Sequence, residues 1–261
     1  MKYFISDLDH TLLNEQAKLS LETIRVIKSN QLPLMLCSAR LPRQMDPFIQ
    51  QLGLTGPQVA LNGALVFEGI GGDRRIQAKH AISLSIYQQI KELMRKKFPD
   101  YPVTWMDEEK WYLPRLTVDL TPELQYCQAD DYIIGMNQPL NDPLLLLIVI
   151  PDADQFKAVF TCLQQTAIPE IQVVNSGDGY LTITGQGVNK GLAPQYLLEH
   201  HLAAPKEIVA FGDDENDLPM FKRAGISVAV ANAAPSVRMQ ADIVGDTNDN
   251  DGVARIMERL L

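Results

Sequence analysis

Lys2-Tyr3-Phe4-Ile5-Ser6-Asp7-Leu8-Asp9-His10-Thr11 starts apolar and runs into two acids spaced i, i+2. A short apolar run that stops at polar residues has the pattern of a buried strand followed by a loop. In open α/β sheets, ligands bind beyond the carboxyl ends of the strands, near the point where strand order reverses. Asp7 and Asp9 are placed at such an end. Their spacing would put both on one side of a continuing strand, whereas a turn past the strand would separate their roles. By itself an Asp-x-Asp pair is equally well explained as two solvated loop acids.

Outward from this stretch the first third alternates strand and helix. Ser20 can cap a helix carrying Leu21, Ile24, Val26 and Ile27. Leu34 to Cys37 reads as a second strand, ending in Ser38-Ala39-Arg40. Met45, Phe48, Ile49 and Leu52 suggest a helix closed by Gly53. Val59 to Leu61 reads as a third strand, with a turn signal at Asn62-Gly63 and a further strand over Ala64 to Phe67. The last third alternates again, with a helix over Asn189 to Leu202 and a strand over Ile208 to Phe211. That strand enters Gly212-Asp213-Asp214-Glu215-Asn216-Asp217. Helices over Leu218 to Arg223, Pro235 to Gln240 and Val253 to Leu261 then alternate with strands over Ile226 to Val230 and Ile243-Val244. Repeated βα units imply a parallel sheet covered by helices on both faces.

The middle breaks this rhythm. A helix through Ile86, Ile90 and Met94 leads into segments rich in aromatics and proline, and both tryptophans of the chain, Trp105 and Trp111, lie there. The apolar run Leu144 to Ile150, bounded by Pro143 and Pro151, is too short for a membrane span and reads as a buried strand. A helix over Phe156 to Leu163 and strands at Val173-Val174 and Tyr180 to Thr184 follow. The mixture suggests an α+β unit. The expected architecture is α/β: a doubly wound parallel, Rossmann-like core over 1–81 and 184–261, with an α+β domain inserted at 82–183. Trp105, Trp111 and Tyr112 read as core of the insertion, with pocket lining as the alternative.

Composition narrows the function classes. The 261 residues carry a formal net charge of −9, which suits solubility and disfavours a nucleic-acid partner. Three cysteines without CxxC spacing argue against a disulfide framework or a zinc site. The residues before Asp7 are too few for a signal-peptide core. The chain is read as cytoplasmic, with neither a membrane nor a nucleic-acid partner.

The strand ends carry the chemistry. Ser38 precedes a helix start, where a hydroxyl and free N–H groups can hold phosphate oxygens, although a serine there also serves as an ordinary cap. Four acids crowd the five residues 213–217, behind a glycine that a plain acidic loop does not need. Lys190 stands at a helix start, opposed to the positive helix end, which suggests an anion or carboxylate partner. Clustered carboxylates raise one another's pKa, and a divalent cation removes that cost. Oxygen-only ligands suit Mg²⁺. Asp7 could then approach a phosphoryl group as a nucleophile, with Lys190 and Ser38 opposing the developing charge. Arg40 and Arg43 read as surface residues, or as contacts for a second anionic group.

In this set the sequence resembles the haloacid dehalogenase superfamily, and in particular its Cof-type phosphatases. Asp7-Leu8-Asp9-His10-Thr11 is similar to DxDx[TV], Ser38-Ala39-Arg40 to [ST]GR, and Gly212 to Asp217 to GDxxND, with Lys190 as the intervening lysine. The resemblance implies Asp7 as nucleophile and metal ligand. It implies Asp9 as acid and base, and as a metal ligand through its backbone carbonyl. Asp213 becomes the second metal carboxylate, and Asp217 a support for the metal shell and Lys190. Ser38, Ala39 and Lys190 fall at the phosphate, with Asn216 near it and Asn62 near the substrate entrance. The cofactor implied is Mg²⁺, the partner a small phosphorylated metabolite, and the insertion a cap of the C2 kind. Ala39 stands where the family usually has glycine, so a left-handed backbone there would crowd the phosphate. Competing readings are a phosphomutase or phosphotransferase of the same chemistry, a signalling module resembling receiver domains, and a phosphate-binding protein without turnover.

Overall fold

The apolar run at the start of the chain forms the strand Tyr3–Ser6, with Phe4 and Ile5 fully buried. The computed structural model describes residues 2–166, 168–176 and 179–261. They fall into two compact units, one of Met1–Arg40, Met45–Ala78 and Asn189–Leu261, the other of Leu41–Gln44 and Lys79–Val188.

The first unit contains a five-stranded sheet in the order Ile243–Val244, Ile226–Ala229, Ile208–Gly212, Tyr3–Ser6, Leu34–Leu36. Every pairing is parallel. The first crossover leads one way, from Tyr3–Ser6 to Leu34–Leu36. The second half starts beside Tyr3–Ser6 at Ile208–Gly212 and proceeds the other way. Strand order therefore reverses between Tyr3–Ser6 and Ile208–Gly212, which makes this the ligand-binding position of a doubly wound sheet. Local signals set the helices. Ser20 accepts the Thr23 N–H and starts Leu21–Ser29. Pro42 opens Pro42–Leu52, and Gly53 ends it at φ +70°, the left-handed cap that glycine adopts without strain.

The strand expected at 59–61 does not extend the parallel sheet. Gln58–Ala60 pairs antiparallel with Leu65–Glu68 and belongs to a separate three-stranded sheet with Arg75–Lys79. A single parallel bridge, Cys37 to Val59, ties it to the end of Leu34–Leu36. The reason lies in Leu61, Asn62 and Gly63, whose φ values of 52°, 54° and 102° fold the chain back on itself. The helix expected from Asn189 begins only at Leu192 and ends at Glu199, so Lys190 precedes it.

The second unit is α+β. Its sheet runs Ile171–Asn175, Tyr180–Gly185, Leu145–Val149, Thr104–Met106, Trp111–Leu113, Tyr132–Ile134. Ile86, Tyr87, Ile90 and Met94 of the helix Leu84–Lys97 pack on Trp105, Leu146, Ile148, Leu181 and Ile183. Trp105 and Trp111 are buried, and the Trp111 indole N–H donates to Thr104 Oγ1 at 2.8 Å. Both are core residues. Tyr112 stacks on Trp105 with ring centroids 5.5 Å apart. Among the described residues, no helix is long and apolar enough to cross a membrane.

Candidate active site

Asp7 and Asp213 lie just past the ends of adjacent parallel strands, where Ser6 pairs with Phe211. The Asp7 N–H donates to the Phe211 carbonyl at 3.1 Å and fixes the start of the loop. Carboxylate oxygens of Asp7, Asp213 and Asp217 come within 4.8 Å of one another. Asp7 is 6% exposed and Asp217 fully buried. Three acids from two distant parts of the chain thus share one site at the reversal of strand order.

Lys190 enters the same site. Its Nζ is 2.7 Å from Asp7 Oδ1 and 2.7 Å from Asp217 Oδ1, and the side chain is 2% exposed. Burial alone would lower the ammonium's pKa, but Asp217 and Asp7 outweigh it and hold the group well above its ordinary value. Burial pushes the Asp7 carboxyl well above the usual range, Lys190 pulls it back, and Asp217 and Asp213 push it up again. Asp213 is pushed up to about 6, chiefly by burial and then by Asp217. Ionising all three carboxylates against one ammonium would put two negative charges in the site, the state a bound cation would favour.

Asp217 spends both oxygens within the protein. Oδ1 receives Lys190, and Oδ2 accepts the N–H groups of Asp213 at 2.9 Å and Asp214 at 3.2 Å. It organises the loop as well as the lysine. Gly212 makes this possible, because a Cβ there would lie 2.5 Å from the Asp217 carboxylate. Thr11 donates its hydroxyl to Asp213 Oδ1 at 2.7 Å. Its place in the first motif was visible in the sequence, but this contact was not.

The remaining candidates are Ser38, Ala39, Asn62, Asn216 and Asp9. Ser38 is buried, and its Oγ accepts the Arg40 N–H at 3.2 Å. Ala39 is exposed and is absent from the residues of positive φ, so alanine in place of glycine carries no backbone strain here. Asn62 is buried in the left-handed turn and donates its N–H to the Ser38 carbonyl at 3.0 Å. A Cβ on the next residue, Gly63, would lie 2.3 Å from the Asn189 carbonyl, so this turn abuts the chain just before Lys190. Asn216 reaches Asn62 Oδ1 only at 3.5 Å, while its own Oδ1 is buried without a hydrogen-bond partner. Asp9 is separate: its carboxylate lies outside the three-acid group and is gripped by Arg40. Arg40, read from the sequence as a surface residue or as a contact for a second anionic group, is thus the partner of Asp9. Its position inside the second motif was the signal.

The donor set fits a hard divalent cation. Every available ligand atom is an oxygen, the carboxylates crowd each other, and the excess charge is that of one such ion.

A family model of haloacid dehalogenase-like hydrolases matches residues 4–257. A putative phosphatase of Haemophilus influenzae is 25% identical over 272 residues, covering 98% of this chain and 97% of its own. A 5-amino-6-(5-phospho-D-ribitylamino)uracil phosphatase of Bacillus subtilis is 23% identical over 270 residues, covering 97% and 94%. The crystal structure of a haloacid dehalogenase-like hydrolase from Bacteroides thetaiotaomicron matches with a TM-score of 0.85 and 26% identity, over 100% of this chain and 99% of that one. A likeness that runs almost from end to end, on a sheet whose reversal point gathers these acids, identifies the chain as a member of the haloacid dehalogenase-like hydrolase family.

Proposed function

We propose that the protein is a Mg²⁺-dependent phosphatase that hydrolyses a small phosphorylated metabolite, such as a sugar phosphate, through an aspartyl-phosphate on Asp7. The observation that carries this reading is the buried Asp7 carboxylate, clamped by Lys190 beside Asp213 and Asp217. Asp7, Asp213 and the Asp9 carbonyl would hold the ion, with Asp217 supporting them. When bound, Mg²⁺ would neutralise the carboxylates and screen them from the anionic phosphoryl group.

The protein's own groups supply the steps. A carboxylate oxygen of Asp7 bonds to phosphorus as the ester P–O bond breaks, and the leaving oxygen takes a proton from Asp9. Water then attacks the aspartyl-phosphate, giving a proton to Asp9 as the bond to Asp7 breaks, and free phosphate leaves. Lys190 opposes the charge on the transferring group. Ser38 Oγ accepts from Arg40 and can give its own proton to a phosphate oxygen. The unpartnered Asn216 Oδ1 asks for a donor, and a sugar hydroxyl near the phosphate would supply one. Choice of leaving group is assigned to the inserted α+β domain, 82–183, as a cap.

The test is phosphate release from a panel of sugar and nucleotide phosphates, with Mg²⁺ or EDTA. Wild type should release phosphate only with the metal, and Asp7→Asn should lose on the order of 10⁴-fold or more in kcat. Retained turnover in folded Asp7→Asn would remove Asp7 as nucleophile. Isomerised sugar phosphate without free phosphate would make the enzyme a phosphomutase.

A further inference from the structure

We propose that Arg40 is a positioning residue for the reaction, fixing the carboxylate of Asp9 so that one orientation serves both proton transfers. The proposal rests on the reading of Asp7 and Asp9 given above.

Arg40 holds Asp9 with both arms of a fork. Nε lies 2.8 Å from Oδ2 and Nη2 lies 2.6 Å from Oδ1. The base of the fork is itself fixed. The Arg40 N–H donates to Ser38 Oγ at 3.2 Å, and its carbonyl accepts the Leu61 N–H at 3.2 Å. The guanidinium carbon sits 5.3 Å from the centre of the Phe48 ring. Asp9, by contrast, has little of its own to hold it. Its side chain is 44% exposed, its own backbone is extended where the turn Leu8–Leu12 is interrupted, and His10 follows at φ 56°. A carboxylate on such a loop would spread over several rotamers without a partner. A planar, bidentate donor selects one of them. Lysine, a point donor on a flexible stem, does not.

One orientation matters because the same carboxyl acts twice. It gives its proton to the ester oxygen as the P–O bond breaks, and it takes a proton from the water that opens the aspartyl-phosphate. Each Asp9 oxygen accepts one N–H from Arg40 and keeps lone-pair capacity for that proton. Ser38 joins the two halves of the site. It braces the Arg40 backbone and lies where the phosphate is read to bind, so Asp9 is indexed to the phosphate through one short segment.

The experiment compares Arg40→Ala and Arg40→Lys with wild type and Asp9→Asn, all with Mg²⁺. Two substrates are used: p-nitrophenyl phosphate, whose leaving group needs no proton, and the alkyl phosphate cleaved fastest in the panel, whose leaving group does. Arg40→Ala should lose about 10- to 100-fold in kcat/KM on the alkyl phosphate, a ratio that reports the phosphoryl-transfer step and not the later hydrolysis common to both substrates, and much less on p-nitrophenyl phosphate. Arg40→Lys should not recover the loss, whereas added guanidinium should recover part of it in Arg40→Ala. Equal losses of kcat/KM on both substrates, or full rescue by lysine, would overturn the proposal. Asp9→Asn separates the two levels. If it shows no selective loss of kcat/KM on the alkyl phosphate, the acid–base reading fails and the positioning role falls with it. If it shows that loss and Arg40→Ala does not, only the positioning role fails.

Discussion

Lys190 is the residue on which the charge balance of the site depends. Its ammonium is buried between Asp7 and Asp217. Burying two carboxylates is tolerable only while a cation faces them. Lys190→Ala should therefore destabilise the metal-free protein by about 3–5 kcal/mol, read from denaturant unfolding in EDTA. Mg²⁺ should return part of that stability, because it faces the same carboxylates. A loss that Mg²⁺ leaves untouched would mean that the ion does not bind beside Asp7. Cys37 illustrates the opposite case. Burial pushes its thiol far above the ordinary range, and it serves as a small apolar residue under the site.

At the scale of elements, the loop after Ile208–Gly212 does two jobs with few residues. It carries Asp213 to the metal position and curls so that Asp217 returns to bond the N–H groups of Asp213 and Asp214. The curl needs a glycine at 212, because a side chain would occupy the place of the Asp217 carboxylate. Gly212→Ala should cost about 1–3 kcal/mol through overpacking and should lower turnover, since Asp217 and Lys190 must move together. Gly72→Ala is the control. Gly72 has open space around its Cβ position, and the change should stay within about 0.5 kcal/mol of wild type. Equal effects from the two substitutions would refute the close-approach argument.

For the whole molecule, the acidic site couples stability to pH and metal. The folded Asp213 carboxyl is raised from 3.8 to about 6. A raised acid contributes its stability in full below 3.8 and loses it as pH climbs through about 6. On this account the metal-free protein weakens across that window. Mg²⁺ takes the ionised carboxylate, so its stabilising effect should grow over the same window. Thermal melts at pH 5 and pH 7, with EDTA or Mg²⁺, should show the larger Mg²⁺-induced gain in Tm at pH 7. A gain independent of pH would remove Asp213 as a ligand.

The sequence by itself determined the doubly wound class, because the apolar runs Tyr3 to Ser6, Leu34 to Cys37 and Ile208 to Phe211 each end in polar residues before a helical period. It also singled out Asp7, Asp213, Asp217 and Lys190 as chemically loaded, since acids behind a glycine and a lysine at a helix start are local anomalies. Four strands were not legible: Arg75–Lys79 because it is mostly polar and almost wholly exposed, and Thr104–Met106, Trp111–Leu113 and Tyr132–Ile134 because three residues in a proline- and aromatic-rich stretch carry no period. Their place comes from pairing with partners far along the chain. The course of Gln58–Ala60 was hidden for a related reason: its separation from the parallel sheet follows from left-handed backbone at Leu61 and Asn62. Asn62-Gly63 signals a turn, but the left-handed leucine before it is not announced by its residue type. The grip of Arg40 on Asp9 and of Thr11 on Asp213 was likewise decided only by tertiary structure. Residues 31 and 202 positions apart meet there because parallel strands bring their carboxyl ends to one edge of the sheet, a proximity that sequence spacing does not encode.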